Sequence, residues 1–97
     1  YRQAAEQGDM CAQYCLGLAY TEGLGTPQND MEAAKWYRKS AEQGYKDAQC
    51  SLGFCYEYGC GVVQNYKEAI KWYRKASAQG QAEAHIGLER CLKKRPQ

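Results

Sequence analysis

No stretch of this sequence approaches the roughly 18 consecutive apolar residues that a membrane span needs, and no signal-peptide h-region is present. It contains no Asn-x-Ser/Thr acceptor for glycosylation. Histidine is scarce, with His85 the single one. Neither a Ser-x-x-Lys pair nor a nucleophile elbow occurs, so the short motifs that mark common acyl-transfer enzymes are missing. Charge of one sign is also missing: 13 Lys and Arg stand against 11 Asp and Glu, a formal net charge of +2. That balance gives no reason to expect nucleic acid or an acidic membrane surface as the main partner. With 97 residues the chain has room for one domain, and 44% apolar with 25% charged residues is an ordinary globular composition. It opens on Tyr1 rather than Met, as an excerpt or a processed product would, so the missing leader says nothing of the parent.

What is present is an internal repeat. Residues 9–44 and 45–80 align without a gap and are identical at 18 of 36 positions. Shared pairs include Ala12/Ala48, Gln13/Gln49, Leu16/Leu52, Gly17/Gly53, Tyr20/Tyr56, Gly23/Gly59 and Gly25/Gly61. Glu32-Ala33 matches Glu68-Ala69, and the run KWYRK recurs at 35–39 and 71–75 with Trp36 and Trp72 in register. Tyr1 to Gly8 matches Tyr37 to Gly44 at six of eight positions, and Ala84, Leu88 and Cys91 continue the frame beyond Gly80. The organisation is thus 1–8 as the end of a preceding repeat, 9–44 and 45–80 as two whole repeats, and 81–97 as a terminal helix and tail.

Each unit reads as two helices. Ala12, Leu16, Ala19 and Tyr20 recur at i, i+4, i+7 and i+8, one face of a first helix. Gly23 and Gly25 stop it. After a short loop, Asn29 or Asp30, and likewise Asn65, serves as N-cap of a second helix. Its inward residues are Ala33, Trp36, Tyr37, Ser40 and Ala41, and Gly44 closes it. Short connections make neighbouring helices antiparallel, and a stack of such hairpins buries each open face on the next. The expected fold class is all-α, an α/α superhelix. In the last helix, expected over 82–93, Glu89 takes the place of Gly17 and Gly53. A helical Gly costs about 1 kcal/mol relative to Ala, so its repetition marks close helix approach, and its loss at Glu89 marks a face on which no further helix packs. Lys93-Lys94-Arg95-Pro96 then ends the helix, and the chain is expected to end at or near Gln97.

The pattern A-Q-x-x-L-G-x-x-Y-x-x-G-x-G, then E-A-x-K-W-Y-R-K, then Q-G, resembles the Sel1-like repeat, a relative of the tetratricopeptide repeat with a longer loop inside the hairpin. The resemblance covers essentially the whole chain. It implies a tetratricopeptide-like superhelix that acts as a scaffold or adaptor for other proteins, with no shared catalytic motif and no cofactor. Some cysteine-rich relatives are credited with binding β-lactam-like ligands and hydrolysing them weakly, which supplies an alternative. A further alternative is an inert spacer within a longer array. The amino end lacks a cap, which leaves an edge open to upstream repeats or to self-association.

In the related tetratricopeptide array a second stripe on the first helices lines the concave groove. Here it holds Cys11, Tyr14, Leu18, Thr21 and Glu22, then Asp47, Cys50, Phe54, Glu57 and Tyr58, then Glu83, Ile86, Arg90, Lys93 and Lys94. The stripe varies while the core positions repeat, and it mixes aromatic anchors with charges, the chemistry of peptide grooves. The candidate partner-binding residues are Tyr14, Leu18, Cys50, Phe54, Glu57, Tyr58, Ile86, Arg90 and Lys93. Leu18, Phe54 and Ile86 have a second reading, packing between neighbouring first helices. Trp36 and Trp72, repeated beside Tyr37 and Tyr73, read as structural, as do Gly17, Gly53, Tyr20 and Tyr56. Lys35, Lys39, Lys71 and Lys75 with Glu32 and Glu68 read as a solvated outer face.

Six cysteines, at 11, 15, 50, 55, 60 and 91, invite a disulfide framework. Cysteine-rich members of the family bridge residues eight apart across a hairpin, and no pair here has that spacing. Cys55 and Cys91 are repeat-equivalent, hence about 8–10 Å or more apart, beyond the ~7 Å reach of a bridge. Six free thiols are expected, with Cys55 and Cys91 as small core fillers, and free thiols point to a reducing compartment. Cys11 and Cys15 supply two metal ligands at best, short of the three or four a site needs, so no metal is expected.

Overall fold

A computed structural model of the chain describes residues 2–23 and 27–94. These form six α-helices: α1 (Arg2–Glu6), α2 (Met10–Glu22), α3 (Asp30–Glu42), α4 (Lys46–Tyr58), α5 (Tyr66–Ala78) and α6 (Ala82–Lys94). Each helix packs on the next in chain order, and α6 packs on α4 as well as α5. The body measures 43 × 25 × 17 Å. Gly25 and the Arg95-Pro96 end lie outside the described residues.

Local chemistry sets the boundaries. Asn29 is the N-cap of α3: its side chain accepts from the backbone N–H of Met31 and Glu32 at 3.1 and 3.2 Å. Asn65 does the same for α5 through Glu68. Asp30 is the first residue of the helix, not its cap. Gly23 and Gly59 end α2 and α4 in the left-handed region at φ 70° and 72°, where a Cβ would be strained. Beyond each, a loop glutamine returns to the carbonyls that the helix end leaves open: Gln28 donates to Thr21 O and Gln64 to Glu57 O.

The expected core is the observed one. Ala33, Trp36, Tyr37, Ser40 and Ala41 are all buried, as are Ala12, Leu16 and Tyr20 with Ala48 and Leu52. Isolated helices of this length are marginal in water, so this shared apolar surface holds them. Cys55 and Cys91 are buried fillers where the first hairpin has half-buried Ala19, and all six cysteines are free thiols. Gly17 and Gly53 are the points of close approach. A Cβ at Gly17 would lie 2.6 Å from the Tyr37 ring, and one at Gly53 would lie 2.8 Å from the Tyr73 ring. Gly87, which is out of register with those two, meets Tyr73 from α6 at 2.6 Å by the same measure. Tyr73 is therefore gripped between two glycines.

A glutamine brace ties the hairpins together. Buried Gln13 donates to Ala5 O and accepts from Gln43, and Gln49 donates to Ala41 O and accepts from Gln79. Buried amides retain stability only when paired in this way. In α6 the equivalent residue is His85, which meets Ser77 at 3.5 Å and pairs with Glu89. On the outer face Lys39 lies over the Trp36 ring, and Lys71 and Lys75 over Trp72, at 4.6 to 5.2 Å. These lysines do more than solvate a face: they cover the two buried indoles.

Candidate functional site

The stripe residues divide along the molecule. In the first hairpin the large apolar members fold inward. Tyr14 is half-buried, its ring 5.8 Å from Tyr37 and 5.4 Å from Tyr45, and half-buried Leu18 packs on the core. In the second hairpin and α6 the large apolar members turn outward. Phe54 and Tyr58 are each 49% exposed and Ile86 is 60% exposed. The Phe54 and Tyr58 rings stand 4.7 Å apart, and the Arg90 guanidinium lies over Tyr58. Spacing explains the cluster: Phe54 and Tyr58 are i,i+4 on α4, and Ile86 and Arg90 are i,i+4 on α6.

Beside them runs a cavity of about 430 Å³. Its wall passes from Thr21, Asp30, Ala33 and Tyr37 of the first hairpin along Cys50, Ser51, Phe54 and Cys55 of α4. It ends on Tyr73 and on Glu83, Ile86 and Arg90 of α6. Of the residues proposed from sequence, Cys50, Phe54, Ile86 and Arg90 line this space together. Tyr58 flanks it through its stack on Phe54, and exposed Lys93 lies in the last turn of α6, outside the lining.

Glu57 is placed differently from the expectation that it offers a free charge to a partner. It is 1% exposed and fully engaged within the chain. Tyr73 Oη donates to its Oε1 at 2.7 Å, Arg90 Nε donates to Oε2 at 2.5 Å, and Arg90 Nη2 donates to Oε1 at 2.8 Å. The position belongs to the core edge because it faces the tyrosine of the second helix. In the first hairpin its equivalent, Thr21, meets Tyr37 Oη at 3.0 Å and donates to Gly17 O. A carboxylate there needs a cation, and α6 supplies one. Burial pushes the Glu57 carboxyl up, but the Arg90 and Tyr73 hydrogen bonds outweigh it and leave the pKa below the usual range. The bond to Glu57 raises Arg90, and burial followed by the bond to Glu57 raises Tyr73. Arg90 is thus a structural staple whose outer side still lines the cavity.

Two thiols on this wall, Cys50 and Cys55, are held in their protonated form. Burial, with the Glu83 and Asp47 charges, pushes Cys50 up to about 11, and burial pushes Cys55 up to about 12. Both remain protonated at neutral pH. Among the described residues no group of His, Cys, Asp and Glu side chains is arranged to hold a metal ion. No helix among them is long and apolar enough to cross a membrane.

The model of the Sel1 repeat matches residues 1–9, 12–45 and 46–81. The chain belongs to the Sel1 repeat family. A Sel1 repeat protein from Oxalobacter formigenes is 45% identical, covers 84% of this chain and superposes with a TM-score of 0.82. A protective antigen present in uropathogenic Escherichia coli strains, with an SLR fold, is 44% identical over 86% of the chain at a TM-score of 0.84. Helicobacter pylori cysteine rich protein B is 30% identical over 86% of the chain at 0.81. The chain spans 34%, 18% and 62% of these three proteins, respectively. No curated protein matches it. These likenesses establish the all-α, tetratricopeptide-like superhelix, and Sel1 repeats are generally protein-interaction scaffolds. Within this Sel1 unit the repeated Gly, Trp, Tyr and Gln residues build the stack, and the cavity is lined by repeated residues such as Tyr37 and Tyr73 together with residues that differ between repeats, such as Phe54 and Ile86.

Proposed function

We propose that this Sel1 unit is a non-enzymatic scaffold that binds a peptide segment of another protein in the groove along α4 and α6. The observation that carries this reading is the exposure of Phe54, Tyr58 and Ile86 beside a cavity of about 430 Å³. The remaining aromatics among the described residues are covered or half-covered, whereas these apolar side chains stand together at an opening. Large rigid side chains around a desolvated pocket are the usual anchors of a protein interface. The competing readings have less support. β-Lactam hydrolysis needs an activated nucleophile, and Cys50 and Cys55 at the cavity are held protonated while His85 pairs with Glu89 away from it. An inert spacer has no use for an exposed aromatic pair.

The test compares the chain with a Phe54→Glu, Tyr58→Ala double variant of matched helicity by circular dichroism. Proteins captured from a lysate by the unmutated chain alone are cut into overlapping peptides and titrated back by fluorescence anisotropy. A peptide that binds the chain and not the variant supports the groove. Partners held equally by both place the interaction on another surface, and a chain that binds nothing supports the spacer.

A further inference from the structure

Three charged side chains line the cavity: Asp30, Glu83 and Arg90. Arg90 is neutralised by Glu57, which it meets through two hydrogen bonds. Asp30 and Glu83 have no ion-pair partner among the described residues. Asp30 opens α3 and Glu83 lies in the first turn of α6. The wall is therefore net negative in a chain whose formal net charge is +2. Neither Lys93 nor Lys94 lines it. The field is felt at Cys50: after burial, Glu83 and Asp47 raise its thiol more than Arg90 lowers it. Glu83 and Ile86 are i,i+3 on α6, so a carboxylate and an exposed apolar side chain share one face of the groove.

We propose that the groove takes a peptide segment in which an apolar side chain is flanked by Lys or Arg, the apolar group lying between Phe54 and Ile86 and the cation against Glu83. This rests on the groove reading and adds the chemistry of its occupant. An acidic peptide would meet uncompensated carboxylates, and a neutral one would leave Glu83 desolvated without a counter-charge.

A random twelve-residue peptide library displayed on phage, panned against the intact chain, tests it. Enriched peptides are then titrated by anisotropy against the chain, Glu83→Gln and Phe54→Ala. The expected selection places Lys or Arg beside Leu, Ile, Phe or Trp. Glu83→Gln should weaken binding about tenfold and flatten its salt dependence, and Phe54→Ala should weaken it further. Acidic or neutral peptides that need Phe54 but ignore Glu83 would overturn the charge inference and leave the groove standing. Peptides indifferent to both substitutions, or an empty selection, would overturn the inference together with the groove. A dimer in sedimentation that Phe54→Ala dissolves would assign the groove to a second copy of the chain and overturn the proposal.

Discussion

At one position of the stripe the first hairpin carries Leu18, half-buried against the core, and the second carries Phe54, half exposed beside the cavity. Three residues further on, Thr21 meets Tyr37 as a neutral pair, whereas Glu57 meets Tyr73 and then requires Arg90. The same backbone frame therefore closes one groove and opens the next. Part of the cause lies at the start of the following helix. Tyr45, ahead of α4, lays its ring on Tyr14 and gives that helix no side-chain cap. Its counterpart Gln81 accepts from Ala84 N–H and donates to Asp47, and lays no ring on the aromatic residues of the stripe. A repeat protein can thus keep one core and vary recognition by changing the few residues that cover or uncover the stripe.

The sharpest way to break this comparison is at Glu57. Replacing Arg90 alone, as Arg90→Phe, leaves a buried carboxylate without its cation, and we expect a loss of about 3 kcal/mol in urea unfolding. The double change Glu57→Thr, Arg90→Phe imports the Thr21–Phe54 combination found one repeat earlier on α2 and α4 and should return stability to within about 1 kcal/mol of the parent. The pair also carries a pH signature. Because the folded pKa of Glu57 is depressed, its stabilisation is fully present above the unfolded value of about 4.3 and is lost as pH falls through the lower folded value. Unfolding midpoints measured from pH 6 down to pH 3 should fall less in the double variant. An equal fall would remove Glu57 as the source.

A smaller effect separates the two glycine contacts. Gly17→Ala and Gly53→Ala each gain about 1 kcal/mol of helix propensity and each push a Cβ into a tyrosine ring. Tyr37 has a glycine on one side, while Tyr73 has Gly53 on one side and Gly87 on the other and cannot retreat. Gly53→Ala should therefore cost about 2 kcal/mol net and Gly17→Ala about 1 kcal/mol or less. Equal losses would mean that the second glycine at Tyr73 does not confine the ring.

Much of this was legible before the structure. The helices, their asparagine caps and the buried Trp, Tyr and Ala positions follow from residues that recur in register, because a stacked unit repeats its core contacts and its sequence together. The exposed cluster was readable only in part: Phe54 and Ile86 stand out as apolar residues where the repeat varies, but how far each is covered depends on neighbours from other helices that the repeat pattern does not encode. Glu57 was misleading because an acid among variable positions looks solvent-facing. Its partner Arg90 lies 33 residues away on another helix. The one available signal was that Thr21 occupies the same frame position opposite a repeated tyrosine. Gly87 was invisible to the repeat because it falls two residues out of register. The role of Gln13 and Gln49 was hidden for another reason: repetition marks a residue as structural without saying which carbonyl it reaches.

That brace offers a further, milder contrast. Gln49→Ala removes a buried amide that serves Ala41 O and Gln79, and should cost about 1–2 kcal/mol. His85→Gln moves in the other direction. It restores to α6 the residue that in α2 and α4 donates to the carbonyl eight residues upstream, and we expect a gain of about 0.5 kcal/mol. Thermal unfolding of both variants checks the pair, and a loss on His85→Gln would show that the last hairpin is braced by other means.

The smallest expected change in stability is the most informative for function. Leu18→Ala and Phe54→Ala remove apolar side chains from the same frame position. Stability should follow burial rather than size. Leu18 packs on the core, so its truncation should cost about 1–2 kcal/mol, whereas the larger Phe54 is half exposed and should cost about 0.5 kcal/mol. Binding should follow the opposite order, with Phe54→Ala weakening a groove peptide at least about tenfold and Leu18→Ala leaving it nearly unchanged. Urea midpoints at constant m-value give the first ranking, and anisotropy titrations give the second. If Phe54→Ala proved the more destabilising variant, its ring would belong to the packing between α4 and α6. The exposed stripe of the second hairpin would then differ from the first only in how loosely it is covered.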